Sequence, residues 1–211
     1  MRCDLRSIRG HVDLALDPVG LTWAALAKRA SQIILFGSRA AGVAGHDSDW
    51  DLLLVGEGHA VRSRELDIVW IRPAMIRSES WLGSELASHV AVYGRWLLGP
   101  DDWRYEVRIS PDAVRRKRRA VEFQLKELSR IWSSLLPGAH ARHIRRLRRE
   151  VQRLELLRVG TAVPPTRHLD AAWTRQLSPR EDLASLLAAV RPAPLTPFLN
   201  PSPFKTKGRP K

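Results

Sequence analysis

The sequence contains a single cysteine, Cys3, among its 211 residues. One thiol cannot form an internal disulfide framework, and it cannot supply the paired cysteines of a zinc knuckle or ribbon. No stretch reaches the roughly 18 apolar residues of a membrane-spanning helix, and the charged first residues contain no apolar core of a secretory signal. These absences predict a soluble, untargeted protein of the reducing cytoplasm, with no membrane insertion.

Acidic residues are also scarce relative to basic ones. The chain has 35 Lys and Arg against 22 Asp and Glu, which gives a net charge of +13. Residues 1–111 carry a net charge of −1, whereas residues 112–158 carry +9 and residues 159–211 carry +5. This asymmetry predicts a near-neutral first half that performs chemistry and a basic second half that contacts nucleic acid or another polyanion.

The first half alternates helical and extended patterns. Pro18 predicts the start of a helix that runs to about Ala30, and residues 78–93 predict a second helix. Three short apolar runs predict buried strands at residues 33–36, 50–55 and 66–71. The predicted fold class is α+β, with a small mixed β-sheet backed by helices.

The second half is predicted to be helical. Apolar residues recur at helical spacing over residues 110–135 and 144–157, and a capping box at Ser178 predicts a further short helix. From Pro192 onward the sequence is rich in proline and predicts a basic, disordered tail. The predicted domains are 1–109, 110–191 and 192–211.

The residues that suggest chemistry lie between two predicted strands. Gly37-Ser38 ends the first strand, ten residues follow, and Asp49 and Asp51 flank Trp50 at the start of the second. Glycine lets a backbone approach phosphate closely, and the serine hydroxyl is a donor to the same anion. Side chains two apart on a strand point to one face, so the two aspartates are predicted to converge on one metal-binding spot.

A third carboxylate, Asp67, interrupts the apolar run of the next predicted strand. Three carboxylates from neighbouring strands suit a hard divalent cation. Other interpretations stay open at this point. Gly37-Ser38 alone is also typical of an ordinary turn, and the three aspartates alone are compatible with surface acids. Arg39 is compatible with phosphate contact or with pairing to a nearby acid.

Taken together, the order and spacing of Gly37, Ser38, Asp49 and Asp51 resemble the polymerase-β-like nucleotidyltransferase superfamily. The likeness is to its small bacterial members, and it extends to Arg39 and covers about residues 20–95. It implies the nucleotidyltransferase fold with a C-terminal helical extension. It also implies transfer of a nucleoside monophosphate from ATP, another NTP or a dNTP to a hydroxyl acceptor, with release of pyrophosphate.

The resemblance assigns roles to these residues. Gly37, Ser38 and Arg39 would bind the nucleotide phosphates. Asp49 and Asp51 would hold two Mg²⁺ ions, with Mn²⁺ as a possible substitute, and Asp67 would be the third catalytic ligand near the acceptor oxygen. Metals so placed stabilise charge on the attacking and leaving oxygens.

The acceptor is less constrained by the sequence. The arginine clusters at residues 115–119 and 145–149 favour a nucleic acid or oligonucleotide, with a partner protein from a neighbouring gene as a second choice and a merely solvated face as a third. Small bacterial relatives suggest antiviral defence. The alternatives are a toxin–antitoxin antitoxin that AMPylates its partner toxin, and a catalytically silent nucleic-acid-binding module.

Overall fold

Five strands among the described residues form one mixed β-sheet in the first half of the chain. The computed structural model describes residues 5–172 and 179–190. Neighbouring strands follow the order β3-β4-β2-β1-β5, in which β2 and β4 are parallel and the other pairs are antiparallel. The strands are β1 (Ala30–Phe36), β2 (Trp50–Gly56), β3 (Val61–Arg62), β4 (Leu66–Ile71) and β5 (Arg95–Leu98).

Helices cover both faces of this sheet, so the strands of the centre are apolar on both sides. Alternate residues of β2 belong to two different cores: Leu52 and Leu54 pack in the core that includes Trp23, whereas Leu53 and Val55 pack in the core that includes Trp81. The prediction of an α+β fold with a mixed sheet is therefore confirmed. The helices of this part are α1 (Leu5–Leu16), α2 (Trp23–Arg29), α3 (Gly37–Ala40), α4 (Glu79–Leu82) and α5 (Glu85–Tyr93).

The two helices predicted in the first half are each interrupted. Gly20 has a left-handed φ of 69° after a short 3₁₀ turn, and the Thr22 hydroxyl then accepts the N–H of Ala25 to begin α2. Ala30 already belongs to β1. The pattern over residues 78–93 breaks at Gly83, because Ser84 caps a new helix at that point. Both predictions of a single continuous helix were wrong, since local caps outweighed the apolar periodicity.

The sequence patterns also missed α1, β3 and β5. Strand β5 lies at the sheet edge and is only four residues long, with Trp96 packed in one core and Leu97 and Leu98 in the other, so it offers too short a run for a pattern to mark it. Strand β3 is only two residues long, which is too short for any periodicity to mark it.

The second compact unit begins at Ile109, and its described residues form helices joined by short loops, with no strand among them. Its helices pack around one apolar core, to which Val121, Leu154 and Leu186 each contribute a fully or almost fully buried side chain. An ion pair between Lys117 and Glu150 at 2.6 Å joins the first two helices. The helices are α6 (Pro111–Ile131), α7 (Pro137–Arg158), α8 (Thr166–Ala171) and α9 (Pro179–Val190).

Some sequence predictions fall on residues outside this description. The proline-rich tail from Pro192 and the cap residue Ser178 lie outside the described residues. None of the helices in the described part combines the length and the apolar character that crossing a membrane requires.

Candidate active site

The Gly37-Ser38 turn lies at the end of β1, an interior strand that pairs with β2 and β5. Gly37 has a φ of 73°, a left-handed conformation that side-chain-bearing residues rarely adopt. A methyl group at this position would also overlap the carboxylate of Asp51. The turn therefore needs glycine for two reasons, and it places the chain backbone directly against one of the predicted site carboxylates.

Asp51 and Asp67 lie opposite each other on adjacent parallel strands. They are register partners in the pairing of β2 with β4. They also share one face of the sheet, because Val55 and Ile71, each four residues further along its strand, pack in the same core. The structure thus brings together Gly37, Asp51 and Asp67 from three separate segments of the chain.

The electrostatic environment of Asp51 shows that its carboxyl group is close to other negative charge. Burial, with the nearby charges of Asp49 and then Asp67, raises the pKa of Asp51 from 3.8 to about 7, against smaller opposing effects of Arg39 and Arg62. Asp67 also lies 3.8 Å from the exposed guanidinium of Arg62. The charges of Asp49 and Asp67 therefore both act on the carboxyl group of Asp51.

Arg39 holds the segment that carries Asp49. Its Nε donates to the carbonyl oxygens of Ser48 at 3.0 Å and Asp49 at 3.1 Å, and its guanidinium lies over the ring of Trp50, 4.3 Å from the centroid. Arg39 is half-buried and forms no ion pair with an acidic side chain of residues 5–172 or 179–190. Its guanidinium fixes the backbone just before β2.

The structure adds His89, a residue that sequence reasoning missed. The backbone N–H of Gly37 donates a hydrogen bond to Nε2 of His89 at 3.2 Å. The imidazole packs edge-on to Phe36 and lies 5.3 Å from the ring centre of Tyr93. Because 52 residues separate His89 from Gly37, no local pattern in the sequence signals this contact.

By contrast, the hydroxyl of Ser38 has no hydrogen-bond partner within the part of the chain that the structure describes. A donor next to a glycine turn and beside a group of carboxylates is the arrangement that a metal-bound polyphosphate requires. The geometry of the turn is thus compatible with binding of a nucleotide.

Comparison with protein families decides the class of this site. A model of the nucleotidyltransferase domain matches residues 23–131, more than half of the chain. The chain belongs to the nucleotidyltransferase domain family. The match runs from α2 through α6, so it contains the sheet, the Gly37-Ser38 turn and the three aspartates. Comparison with curated proteins gives no significant match.

As a nucleotidyltransferase, the protein is a transferase of nucleoside monophosphates, and its family uses divalent metals. Within residues 5–172 and 179–190, no three His, Cys, Asp or Glu side chains are already arranged as a metal-binding group. The donor chemistry nevertheless fits Mg²⁺, which prefers carboxylate oxygens and retains several waters. A cation would offset the effects of burial and of the nearby charges of Asp49 and Asp67, which together raise the pKa of Asp51.

Proposed function

We propose that this nucleotidyltransferase transfers a nucleoside monophosphate from an NTP or dNTP to the hydroxyl group of an acceptor, with release of pyrophosphate. The observation that supports this most directly is the meeting of Asp51, Asp67 and the Gly37-Ser38 turn on one face of the sheet. Three segments of the chain meet there. Carboxylates that lie close together and half-buried repel one another, so such a group is more typical of a functional site than of a purely structural one.

In this proposal each residue of the site has a defined task. The Ser38 hydroxyl and the turn at Gly37 bind the β and γ phosphates, and Arg39 maintains the segment that presents Asp49. Asp49, Asp51 and Asp67 are the residues that would hold magnesium. When bound, magnesium neutralises negative charge on the attacking and leaving oxygens. Mn²⁺ has the same preference for carboxylates and is a substitute.

The bond changes in the proposed reaction are simple. The acceptor oxygen forms a bond to the α phosphorus while the bond from that phosphorus to the bridging oxygen breaks, so pyrophosphate leaves with that oxygen. Asp67 accepts the proton of the acceptor hydroxyl. Asp67 lies on β4 opposite Asp51, and this position beside the residues that would hold magnesium supports its role as the base.

A nucleic acid or oligonucleotide is the proposed acceptor. The outer faces of α6 and α7 carry exposed arginines, including Arg119, Arg142 and Arg146, for which the described part of the chain shows no acidic partner. An excess of positive charge favours contact with phosphate backbones over contact with a cationic small molecule. We further propose a cytoplasmic role in antiviral defence, on the strength of the resemblance to small bacterial relatives.

Incubation of the purified protein with labelled NTPs and dNTPs, with Mg²⁺ or Mn²⁺ and a mixture of oligonucleotides, tests this proposal. Label that nuclease removes identifies a nucleic-acid acceptor. Label that protease removes from an added partner supports the antitoxin alternative, and the absence of any transfer supports a silent binding module.

Matched variants locate the activity in this site. Asp49→Asn with Asp51→Asn is expected to reduce transfer by at least about a hundredfold, because two of the three carboxylates are lost. Asp47→Asn is the control, since its side chain is 84% exposed in the same loop. Transfer that persists in the double variant, or that falls equally in the control, contradicts the proposal.

A further inference from the structure

An arginine-lined cavity lies in the second unit, apart from any residue assigned to transfer. Its volume is about 200 Å³, and it lies between α7 and α8. One wall follows two turns of α7, and the other contains Leu169, which is 3% exposed, and a carboxylate. The lining residues are Arg145, Arg148, Arg149, Gln152, Leu169 and Asp170.

Two of these arginines are held in fixed positions. Asp170 accepts hydrogen bonds from Nε of Arg149 at 2.7 Å and from Nη2 at 2.6 Å, which raises the pKa of the Arg149 guanidinium further. Arg148 forms an ion pair with the buried Asp182 of α9. A guanidinium has five N–H donors, so a two-point contact to one carboxylate leaves donors of Arg149 for a second anion.

Arg145, the third arginine, gives the cavity its net positive charge. Arg145 is exposed and has no acidic partner within residues 5–172 and 179–190, whereas Asp170 and Asp182 offset the other two guanidiniums. One uncompensated positive charge beside oriented N–H donors is suited to a phosphate group. Gln152 adds a neutral amide, which donates to phosphate oxygens without repelling them.

The surface around the cavity favours a polynucleotide over a single nucleotide. Arg142 and Arg146 are exposed on the same side of α7 as Arg145 and Arg149, because these four positions span about 100° around the helix axis. The row from Arg142 to Arg149 extends over about 10 Å of helix. A nucleic-acid strand has successive phosphates that can contact several of these arginines at once. A mononucleotide would contact only the part of the row nearest the cavity.

We propose that this cavity binds a backbone phosphate of a single-stranded nucleic acid and that the adjoining arginines of α7 bind the neighbouring phosphates. This inference rests on the proposed choice of a nucleic-acid acceptor and adds a defined contact point for it. None of the residues that line the cavity is assigned to transfer, so the proposed binding of the strand requires neither NTP nor metal.

The test measures binding of a fluorescent twelve-nucleotide single strand to the full chain, without NTP or divalent metal. Arg145→Ala is expected to weaken binding about tenfold at low salt and to reduce the slope of log affinity against log salt by about one. Arg145→Lys is expected to recover part of the affinity, because it restores the charge and loses the planar guanidinium.

Lys28→Ala provides the matched control, since Lys28 is an exposed cation of α2 without an acidic partner in the described residues. It is expected to bind the strand as the unaltered protein does. Equal weakening in both variants indicates diffuse attraction and overturns the proposal, as does unchanged binding in Arg145→Ala. Competition by AMP as effective as by the strand, at equal phosphate concentration, assigns the cavity to free nucleotides and also overturns it.

The outcome is separable from that of the proposed function. Pyrophosphate release from NTP, measured in the Asp49 and Asp51 variants, reports on transfer alone. The Arg145→Ala variant is expected to lose strand binding and to keep pyrophosphate release when the acceptor is too short to reach the row of arginines. That result supports the cavity as a binding site for the strand. Failure of transfer in the unaltered protein, with the Arg145 effect on binding present, contradicts only the proposed function.

Discussion

The Gly37 N–H donates to Nε2 of His89, and this hydrogen bond connects the turn after β1 to helix α5. The half-buried imidazole also contacts the aromatic rings of Phe36 and Tyr93. Gly37 also lies against the carboxylate of Asp51. The hydrogen bond from the Gly37 N–H to His89 therefore links the position of α5 to the position of this carboxylate. His89 is thus a positioning residue.

His89→Ala is expected to raise the KM for NTP about five- to tenfold, since the loss of one hydrogen bond of about 1 kcal/mol loosens the turn. His89→Gln is expected to recover most of the loss, because its amide oxygen is an acceptor for the Gly37 N–H. Steady-state kinetics on both variants measures this, with Val92→Ala on the exposed side of α5 as control. Equal KM values for the Ala and Gln variants would show that packing, rather than the hydrogen bond, is the cause.

Gly37→Ala is expected to destabilise the protein by at least about 2 kcal/mol. The left-handed backbone alone costs an alanine about 1–2 kcal/mol, and the new methyl group displaces the Asp51 carboxylate. Gly10→Ala is the control, because its added methyl meets no atom within 4 Å and α1 gains about 0.5–1 kcal/mol of helix propensity. Denaturant unfolding of both variants measures the contrast, and similar stabilities would contradict the geometry of the turn.

Asp51 makes folding depend on pH. Its pKa is about 7 in the folded protein and 3.8 ordinarily, so the folded state retains a proton that the unfolded chain loses. The contribution of Asp51 to stability is therefore present below pH 4 and is lost as pH rises to 7. At pH 8 the Asp51→Asn variant is expected to be more stable than the unaltered protein by about 1–3 kcal/mol, a range that allows for the exposed part of the carboxyl group. At pH 4 the difference in stability is expected to be much smaller.

Unfolding curves at the two pH values check this prediction, and a difference that does not grow with pH would refute it. Mg²⁺ provides a second measurement. At pH 8 it is expected to raise the Tm of the unaltered protein and of Asp47→Asn, and to leave that of Asp51→Asn almost unchanged. An equal rise in all three would indicate binding elsewhere.

Arg39→Ala is expected to lower kcat/KM about tenfold or more, because the carbonyls of Ser48 and Asp49 lose their shared donor and Trp50 loses its cation–π contact. Arg39→Lys is expected to recover little, since an ammonium cannot reproduce the planar fork. Arg29→Ala removes a comparable contact, with Trp70, and is expected to keep full activity. Full activity in Arg39→Lys would indicate that charge alone matters.

Asp182→Ala is expected to destabilise the second unit by about 3 kcal/mol or more. Asp182 is 2% exposed and is an acidic partner of Arg148, so its removal takes a buried, charge-assisted contact away from the guanidinium. Replacing both residues, Asp182→Leu with Arg148→Met, is expected to recover most of the loss. Thermal unfolding of the single and double variants distinguishes this from a surface ion pair, for which the single change would cost under about 1 kcal/mol.

Local sequence patterns were sufficient to predict the α+β class and the positions of β1, β2 and β4. Each of these strands is a short apolar run, and burial on both faces makes such runs conspicuous. The same patterns failed where a cap or a turn competes with periodicity, as at Thr22 and Gly83, because a single hydrogen bond at a helix end decides where the helix begins or stops.

The sequence by itself determined the order of the chemical groups: a glycine-serine turn, then two aspartates one residue apart, then a third aspartate further along the chain. The prediction that Asp49 and Asp51 lie on one strand was wrong, because β2 begins at Trp50 and Asp49 belongs to the loop before it. Only the tertiary structure decided that β4 pairs with β2 in parallel, that this register sets Asp67 opposite Asp51, and that His89 reaches Gly37. Those relationships join segments far apart in the chain, and they depend on which strands and helices bury one another's apolar faces. The spacing of residues along the chain does not show which elements will pair.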